Sequence, residues 1–472
     1  MGFLGQSHLN FEIENGVNKG CEKGFEQETN KASIEYAVKV LLLGLGEDIN
    51  REGIRKTPLR VAKALCEGTI GYKQNAKDIV QGALFPEAGL DISTVGHAGG
   101  AGGLVIVRDL DFYSYCESCM LPFQVKCHVG YVPSGQRVLG LSKLSRVAEV
   151  FAKRLQEPQR LANEVCFALH QGIQPQGVAI ILQCSHIHFP DTESSILDSS
   201  HKGWVETLVS SGSGVFENKD SDMWGDFFGL LKFRGIDKNE VYFKGGSLDQ
   251  CWCPSLSCLS SKVDSSKIGG LDPIMVTAVS SILESLGENP TREELVGTPS
   301  RFVKWLMNFQ WSSIDKKLNG SIWGGVDYSL KTNGELGLND KEVYSEVNLP
   351  FWSQCEHHLL PFHGVVHIGY FISKGFDPIR KSLLQSIVHF YGFKLQVQER
   401  LTRQIAETIS PLLGGNVIVV AEASHTCMIS RGIQKFGSNT ATTAVLGRFS
   451  TDLDAKAKFL ESIPSVSSLE GP

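Results

Sequence analysis

Apolar residues recur at helical spacing in two widely separated places. Ile34, Ala37, Val38, Leu41, Leu42 and Leu45 fall on one face of a 3.6-residue repeat, with Ser33 placed to cap it and Gly46 to end it. Met275, Val279, Ile282, Leu283 and Leu286 make a second such face, behind Asp272 as cap and Pro273 at the first helical position, with Gly287 at the end. Each face leads into a strand-like run, LVIVRDLDFYSY (104–115) or EVYSEVNLPFW (342–352). A second strand follows, VKCHVGYV or VVHIGYF. A helix is then predicted over VAEVFAKRLQEPQRLANEVCFAL or SIVHFYGFKLQVQERLTRQIAETI, and a strand, VAIILQCSHIH or VIVVAEASHTCM, closes the core. Strands and helices mix without strict βαβ alternation, which predicts an α+β fold.

The same order occurs twice because the chain contains itself twice. Cys116 and Cys355 stand 239 residues apart, as do Pro122 and Pro361, Gly130 and Gly369, and His186 and His425. Upstream, GEDINREGIRKTPLRVAKAL (46–65) echoes GENPTREELVGTPSRFVKWL (287–306). Each copy is far longer than a solenoid repeat, so a whole domain is duplicated. We expect an N-terminal tail over 1–29, domains over 30–235 and 268–463, a polar Ser-rich linker over 236–267 and a C-terminal tail over 464–472. Cys251, Cys253 and Cys258 in the linker read as surface thiols, with metal binding as the other reading.

Composition narrows the function. With 42% hydrophobic and 20% charged residues, the 472-residue chain is of ordinary globular type. A net charge of −6 without a dense Lys/Arg run argues against a nucleic-acid partner. The longest apolar run, VKVLLLGLG (38–46), is too short to cross a bilayer. The opening MGFLGQSHLNFEIENG lacks the pattern of a secretory signal, and Gln6 stands where a myristoylation signal has Ser or Thr. Twelve irregularly spaced cysteines suit a reducing compartment, and we expect a cytoplasmic protein without a membrane partner.

The chemistry concentrates in the second copy. WSQCEHHLLPF (352–362) places Cys355 and His358 three apart, a bite suited to a tetrahedral zinc held by thiolate and imidazole. Cys427, in SHTCM at the end of an apolar strand, is a candidate third ligand. Three protein ligands with an open fourth position make a catalytic site, whose water would ionise near neutral pH. His357 and His425, each beside a ligand, are candidates for proton transfer. The bland reading of the same residues is a buried thiol and core histidines.

The motifs C-E-H-H-L-x-P-F, H-I-G-Y, L-Q-V-Q-E-R-L-T and S-H-T-C-M-x-x-R-G, in this order, resemble GTP cyclohydrolase I. The likeness extends over about 30–235 and 270–460, and a tandem chain is similar to the plant form. It implies two tunnelling-fold domains, self-association into a ring-like homo-oligomer, and zinc-dependent conversion of GTP to 7,8-dihydroneopterin triphosphate and formate. It also implies zinc ligands Cys355, His358 and Cys427, catalytic histidines His357 and His425, a guanine-binding pair Gln398 and Glu399, and a phosphate contact at Arg431. The family's triphosphate motif G-L-S-K-L-x-R is broken in the second copy, where Leu383 and Ser386 replace Lys and Arg.

The first copy is broken in the complementary way. GLSKLSR (140–146) keeps Ser142, Lys143 and Arg146, while Ser118 and Cys119 replace both histidines of the loop. Pro158 and Gln159 replace the Gln–Glu pair, His188 the last thiolate and Thr192 the arginine. The expectation is one active site to which the second copy supplies metal and guanine pocket and the first copy the triphosphate clamp. Cys116, Cys119 and His188 are expected to pack as small core residues; a metal site of their own or a redox pair are the other readings. A purine- or pterin-binding regulator, or a zinc hydrolase of another purine nucleotide, are the competing functions.

Overall fold

The structure is a computed structural model that describes residues 19–86, 103–134, 137–187, 204–232, 271–309, 343–372, 379–433 and 438–464. The linker, with Cys251, Cys253 and Cys258, lies outside the described residues, as do His188 and Thr192.

Helix α1 (Lys19–Gly44) begins well before the expected cap. Ser33 lies inside it, its hydroxyl donating back to the Thr29 carbonyl four residues earlier at 3.1 Å. A hydroxyl satisfied within the helix does not end it, so the capping signal misplaced the start. The second copy follows its signals: Asp272 accepts from the Ile274 amide at 2.9 Å and Pro273 opens the helix Pro273–Ser285. Helices Thr57–Gly68 and Thr298–Met307 complete the two N-terminal parts.

Each copy then builds a five-stranded sheet. The first uses β1 (Val105–Cys116), β2 (Pro122–Val132), β3 (Leu155–Gln156), β4 (Gly177–Ile187) and β5 (Trp204–Gly214), in spatial order β3-β1-β2-β4-β5. The second uses β6 (Tyr344–Cys355), β7 (Pro361–Tyr370), β8 (Leu395–Gln396), β9 (Val417–His425) and β10 (Thr440–Leu446), in the equivalent order β8-β6-β7-β9-β10. All neighbours are antiparallel except the two-residue strands β3 and β8, which pair parallel to β1 and β6.

Those short strands break what the periodicity reads as one long helix. The first copy has Leu141–Ala152 and Pro158–Ile173 instead, the second Lys381–Gly392 and Gln398–Ile409. In the first copy Pro158 starts the new helix behind Glu157, whose carboxylate caps the Arg160 amide at 2.9 Å. The break positions chemistry, because Gln396 then pairs with Cys355 and the Gln396 carbonyl accepts from the Glu356 amide at 3.0 Å.

One contiguous apolar core joins the copies, running from Ile34 and Leu41 through Ile282 and Phe302 to both sheets. The outer sheet faces carry separate clusters under the helices Asp222–Leu231 and Leu453–Ser462. A Cβ at Gly130 would approach Phe227 to 2.4 Å, and one at Gly369 would approach Phe459 to 2.5 Å. The matched glycines thus admit an aromatic ring on each sheet. No helix among the described residues is long and apolar enough to cross a membrane.

Candidate metal centre and active site

Strand β6 ends at Cys355 and β7 begins at Pro361, so residues 356–360 form a tight connecting loop. The Cys355 amide donates to the Leu360 carbonyl at 2.8 Å, and the Leu359 amide to the Cys355 carbonyl at 2.9 Å. Leu359 pays for this turn with a left-handed backbone, φ 54°, rare for a bulky side chain. Phe362 pairs with Ser353 on one side and with His425 on the other, which brings the end of β9 to the loop. Cys427 follows in the short helix Thr426–Ile429, anchored where the Thr426 hydroxyl donates to the Pro361 carbonyl at 2.5 Å.

The candidate ligating atoms of Cys355, His358 and Cys427 consequently lie within 4.8 Å of one another. Both sulfurs are buried, and Cys355 Sγ is 3.8 Å from His358 Nδ1. Hydrogen bonding from Cys427, then from His358 and His425, holds the Cys355 thiol well below its ordinary range despite burial. The shared bond and burial push the Cys427 thiol up, so the two sulfurs hold one proton between them until an ion displaces it. Two sulfurs and one imidazole without a carboxylate are the donors that a zinc-class ion takes.

Around this cluster stand the other expected site residues. The His425 ring stacks on Phe362, centroids 4.5 Å apart and 7° from parallel. Gln398 is buried at the first turn of its helix, with Nε2 donating to the Ala421 carbonyl at 2.8 Å and the Thr440 carbonyl at 2.7 Å. Its Oε1 is then an acceptor, and His425 Nε2 donates to it at 2.8 Å. Glu399, next in the chain, is exposed, as is Arg431, whose Nε donates to the Cys427 carbonyl at 2.8 Å. The His357 side chain is 37% exposed, and partial burial lowers its pKa, favouring the neutral ring near pH 7.

Ser142, Lys143 and Arg146 lie on helix Leu141–Ala152, with Ser142 and Arg146 exposed and Lys143 partly so. Among the described residues no hydrogen bond or ion pair ties their side chains to the Cys355 cluster. In the first copy Pro158 is buried in the helix start, and Gln159 is committed to Asn163 at 3.1 Å and the Ser210 carbonyl at 3.0 Å.

The motif reading missed the glutamate beside each loop cysteine. Glu356 accepts from Arg51 of the first copy at 2.8 Å and from Arg400 at 2.6 Å, while the Thr57 hydroxyl donates to its carbonyl at 2.6 Å. Glu117 is held in mirror fashion by Arg292 of the second copy at 2.9 Å and by Arg160 at 2.6 Å, with the Thr298 hydroxyl on its carbonyl at 2.5 Å. Burial alone would raise the Glu356 carboxyl, but the bonds from Arg51 and Arg400 outweigh it and hold the group below the ordinary range. Each copy's N-terminal part therefore clasps the other copy's loop, an isologous exchange about a local two-fold.

The family model for GTP cyclohydrolase I matches residues 34–220 and again 275–464. The chain belongs to the GTP cyclohydrolase I family. A relative named GTP cyclohydrolase 1 from Solanum lycopersicum is 63% identical over 464 residues, 98% of each chain. One of the same name from Arabidopsis thaliana is 60% identical over 474 residues, covering 100% of this chain and 98% of its own. A shorter relative of that name from Dictyostelium discoideum is 42% identical over 200 residues, 42% of this chain and 78% of its own. The last alignment fits a one-domain protein laid on half of a duplicated one.

Proposed function

We propose that this chain, like relatives named GTP cyclohydrolase 1, acts on GTP, and that it opens the guanine ring, releasing formate and forming 7,8-dihydroneopterin triphosphate as the family resemblance implies. The observation that carries the reading is the convergence of Cys355, His358 and Cys427 beside the hydrogen-bonded pair His425–Gln398. The donor set fits Zn²⁺, which those three residues would hold. When bound, zinc supplies Lewis acidity that makes a water nucleophilic near neutral pH.

The side chains divide the remaining work. Glu399, an exposed carboxylate, accepts from the N1–H and 2-amino donors of guanine. Gln398 keeps the His425 ring in place against Phe362 with a fixed donor at Nε2. His425 then moves a proton at the imidazole ring nitrogen of guanine as the C8–N bond opens. His357, neutral and partly exposed, serves the later ribose-opening steps. Arg431 and the clamp of Ser142, Lys143 and Arg146 hold the triphosphate by charge-assisted hydrogen bonds.

Residues 30–235 and 268–463 are, in this reading, two tunnelling-fold domains of one enzyme. The first-domain clamp, which has no bond to the cluster among the described residues, favours self-association into a ring in which clamp and cluster meet. No disulfide joins the described cysteines, which suits a cytoplasmic setting. Purified full-length chain incubated with GTP should release formate and a fluorescent pterin product in equal amounts, with zinc bound. GTP or pterin binding without formate would favour a regulator instead and end the enzymatic reading.

A further inference from the structure

We propose that Cys116, Cys119 and His186 form a second metal site, in the first domain, for a zinc-class ion that holds the fold together rather than acting on substrate. Their ligating atoms lie within 4.8 Å of one another. Cys119 Sγ and His186 Nε2 are 3.3 Å apart, and all three residues are at most 1% exposed. Among the described residues His186 is the imidazole that meets the two thiols; the expected His188 lies outside them.

The imidazole is prepared as a ligand. His186 Nδ1 lies 2.7 Å from the Ile187 carbonyl oxygen, which can only accept, so Nδ1 carries the proton. The neutral ring then directs the lone pair of Nε2 at the sulfurs, the outer-shell arrangement that orients metal-bound histidines. The loop is prepared as well. The Cys116 amide donates to the Leu121 carbonyl at 2.9 Å, the Met120 amide to the Cys116 carbonyl at 2.8 Å, and Met120 has φ 58°. These are the features of the Cys355 loop, bond for bond.

The donors are permuted between the copies rather than lost. Cys116 occupies the place of Cys355 and Cys119 that of His358, while the third ligand shifts two residues back along the strand to the place of His425. Each domain therefore presents two sulfurs and one imidazole nitrogen. Simple decay would not preserve that count. Such a set selects zinc and softer ions over magnesium or calcium. Catalysis is a poor match, because Ser118 stands in place of one proton-transfer histidine and His186 is committed as a ligand. Between the two thiols sits Glu117, held by Arg292 of the second domain, and the Ser118 carbonyl accepts from Arg301 at 2.5 Å. An ion here would stiffen the loop on which the second domain docks.

The test uses the full chain with Cys427→Ser, which disables the second-domain cluster, so this proposal can fail while the catalytic reading stands. Zinc analysis should find about one equivalent retained in that variant and none after adding Cys119→Ser. Cobalt(II) loading of the single variant should give thiolate-to-cobalt charge-transfer absorption, and chelation should lower its melting temperature, with zinc restoring it. Cys119→His, which restores the second copy's ligand, should keep the ion and lose part of the charge-transfer intensity. It thus decides the matter if the serine variant misfolds. The proposal is overturned if Cys427→Ser binds neither zinc nor cobalt with Cys116 and Cys119 reduced, or if those cysteines are isolated as a disulfide.

Discussion

The loops Cys355–Leu360 and Cys116–Leu121 share a backbone and differ in chemistry. Both close with the same two hydrogen bonds, both force a bulky residue into left-handed φ, and both carry a glutamate clasped by two arginines. Only the Cys355–Leu360 loop has two histidines, His357 and His358, and, behind it, the His425–Gln398 pair. The matched positions are those that hold the exchanged N-terminal parts to the opposite sheets. The altered ones are those to which the proposed mechanism assigns metal and substrate. Duplication, on this proposal, separates the requirements of folding, retained in both copies, from those of catalysis, divided between them.

Perturbing one copy at a time should break this comparison at different levels. Cys427→Ser should remove the second-domain metal and abolish turnover, because it deletes a ligand; metal analysis beside formate release checks both. His425→Ala should fold, keep its metal and lose roughly 10²- to 10⁴-fold in turnover, the range of a general acid–base group. The equivalent His186→Ala should leave the chemical step intact and act only through first-domain stability. Smaller effects are expected at the clasp. Arg51→Ala and Arg292→Ala should each cost about 1–3 kcal/mol of stability, since Glu356 and Glu117 each keep one arginine. Thermal melting should show similar losses, with Arg51→Ala alone also slowing turnover, because Glu356 lies between metal ligands. Unequal losses of stability would contradict the two-fold equivalence of the clasps.

Much of this was legible in the sequence because it is local. The apolar faces from Ile34 to Leu45 and from Met275 to Leu286 are buried as the periodicity indicates, and the three-residue spacing of Cys355 and His358 marked a candidate ligand pair, to which the SHTCM motif and the family resemblance added the converging Cys427. What escaped is non-local or weakly marked. Strands β3 and β8 are two residues long and interrupt a continuous helical period. Strands β5 and β10, WVETLVSSGSG and TATTAVL, are small-residue, half-buried edge strands without strong alternation. The clasp joins Arg51 to Glu356 across 305 residues and Arg292 to Glu117 across 175. Retention of these residues in both copies was its only signal.

The central claim is that the first domain grips the triphosphate of a substrate processed in the second. The direct measurement is kcat/KM of Lys143→Ala for GTP and for guanosine, side by side with the unaltered chain. Lys143 lies in a domain without the histidines proposed for proton transfer, so a scaffold role predicts little change with either substrate. Loss of a charge-assisted phosphate contact, about 1.5–3 kcal/mol, predicts a roughly ten- to 150-fold drop with GTP and almost none with guanosine. An unchanged rate with GTP, or an equal drop with both substrates, would contradict the shared site.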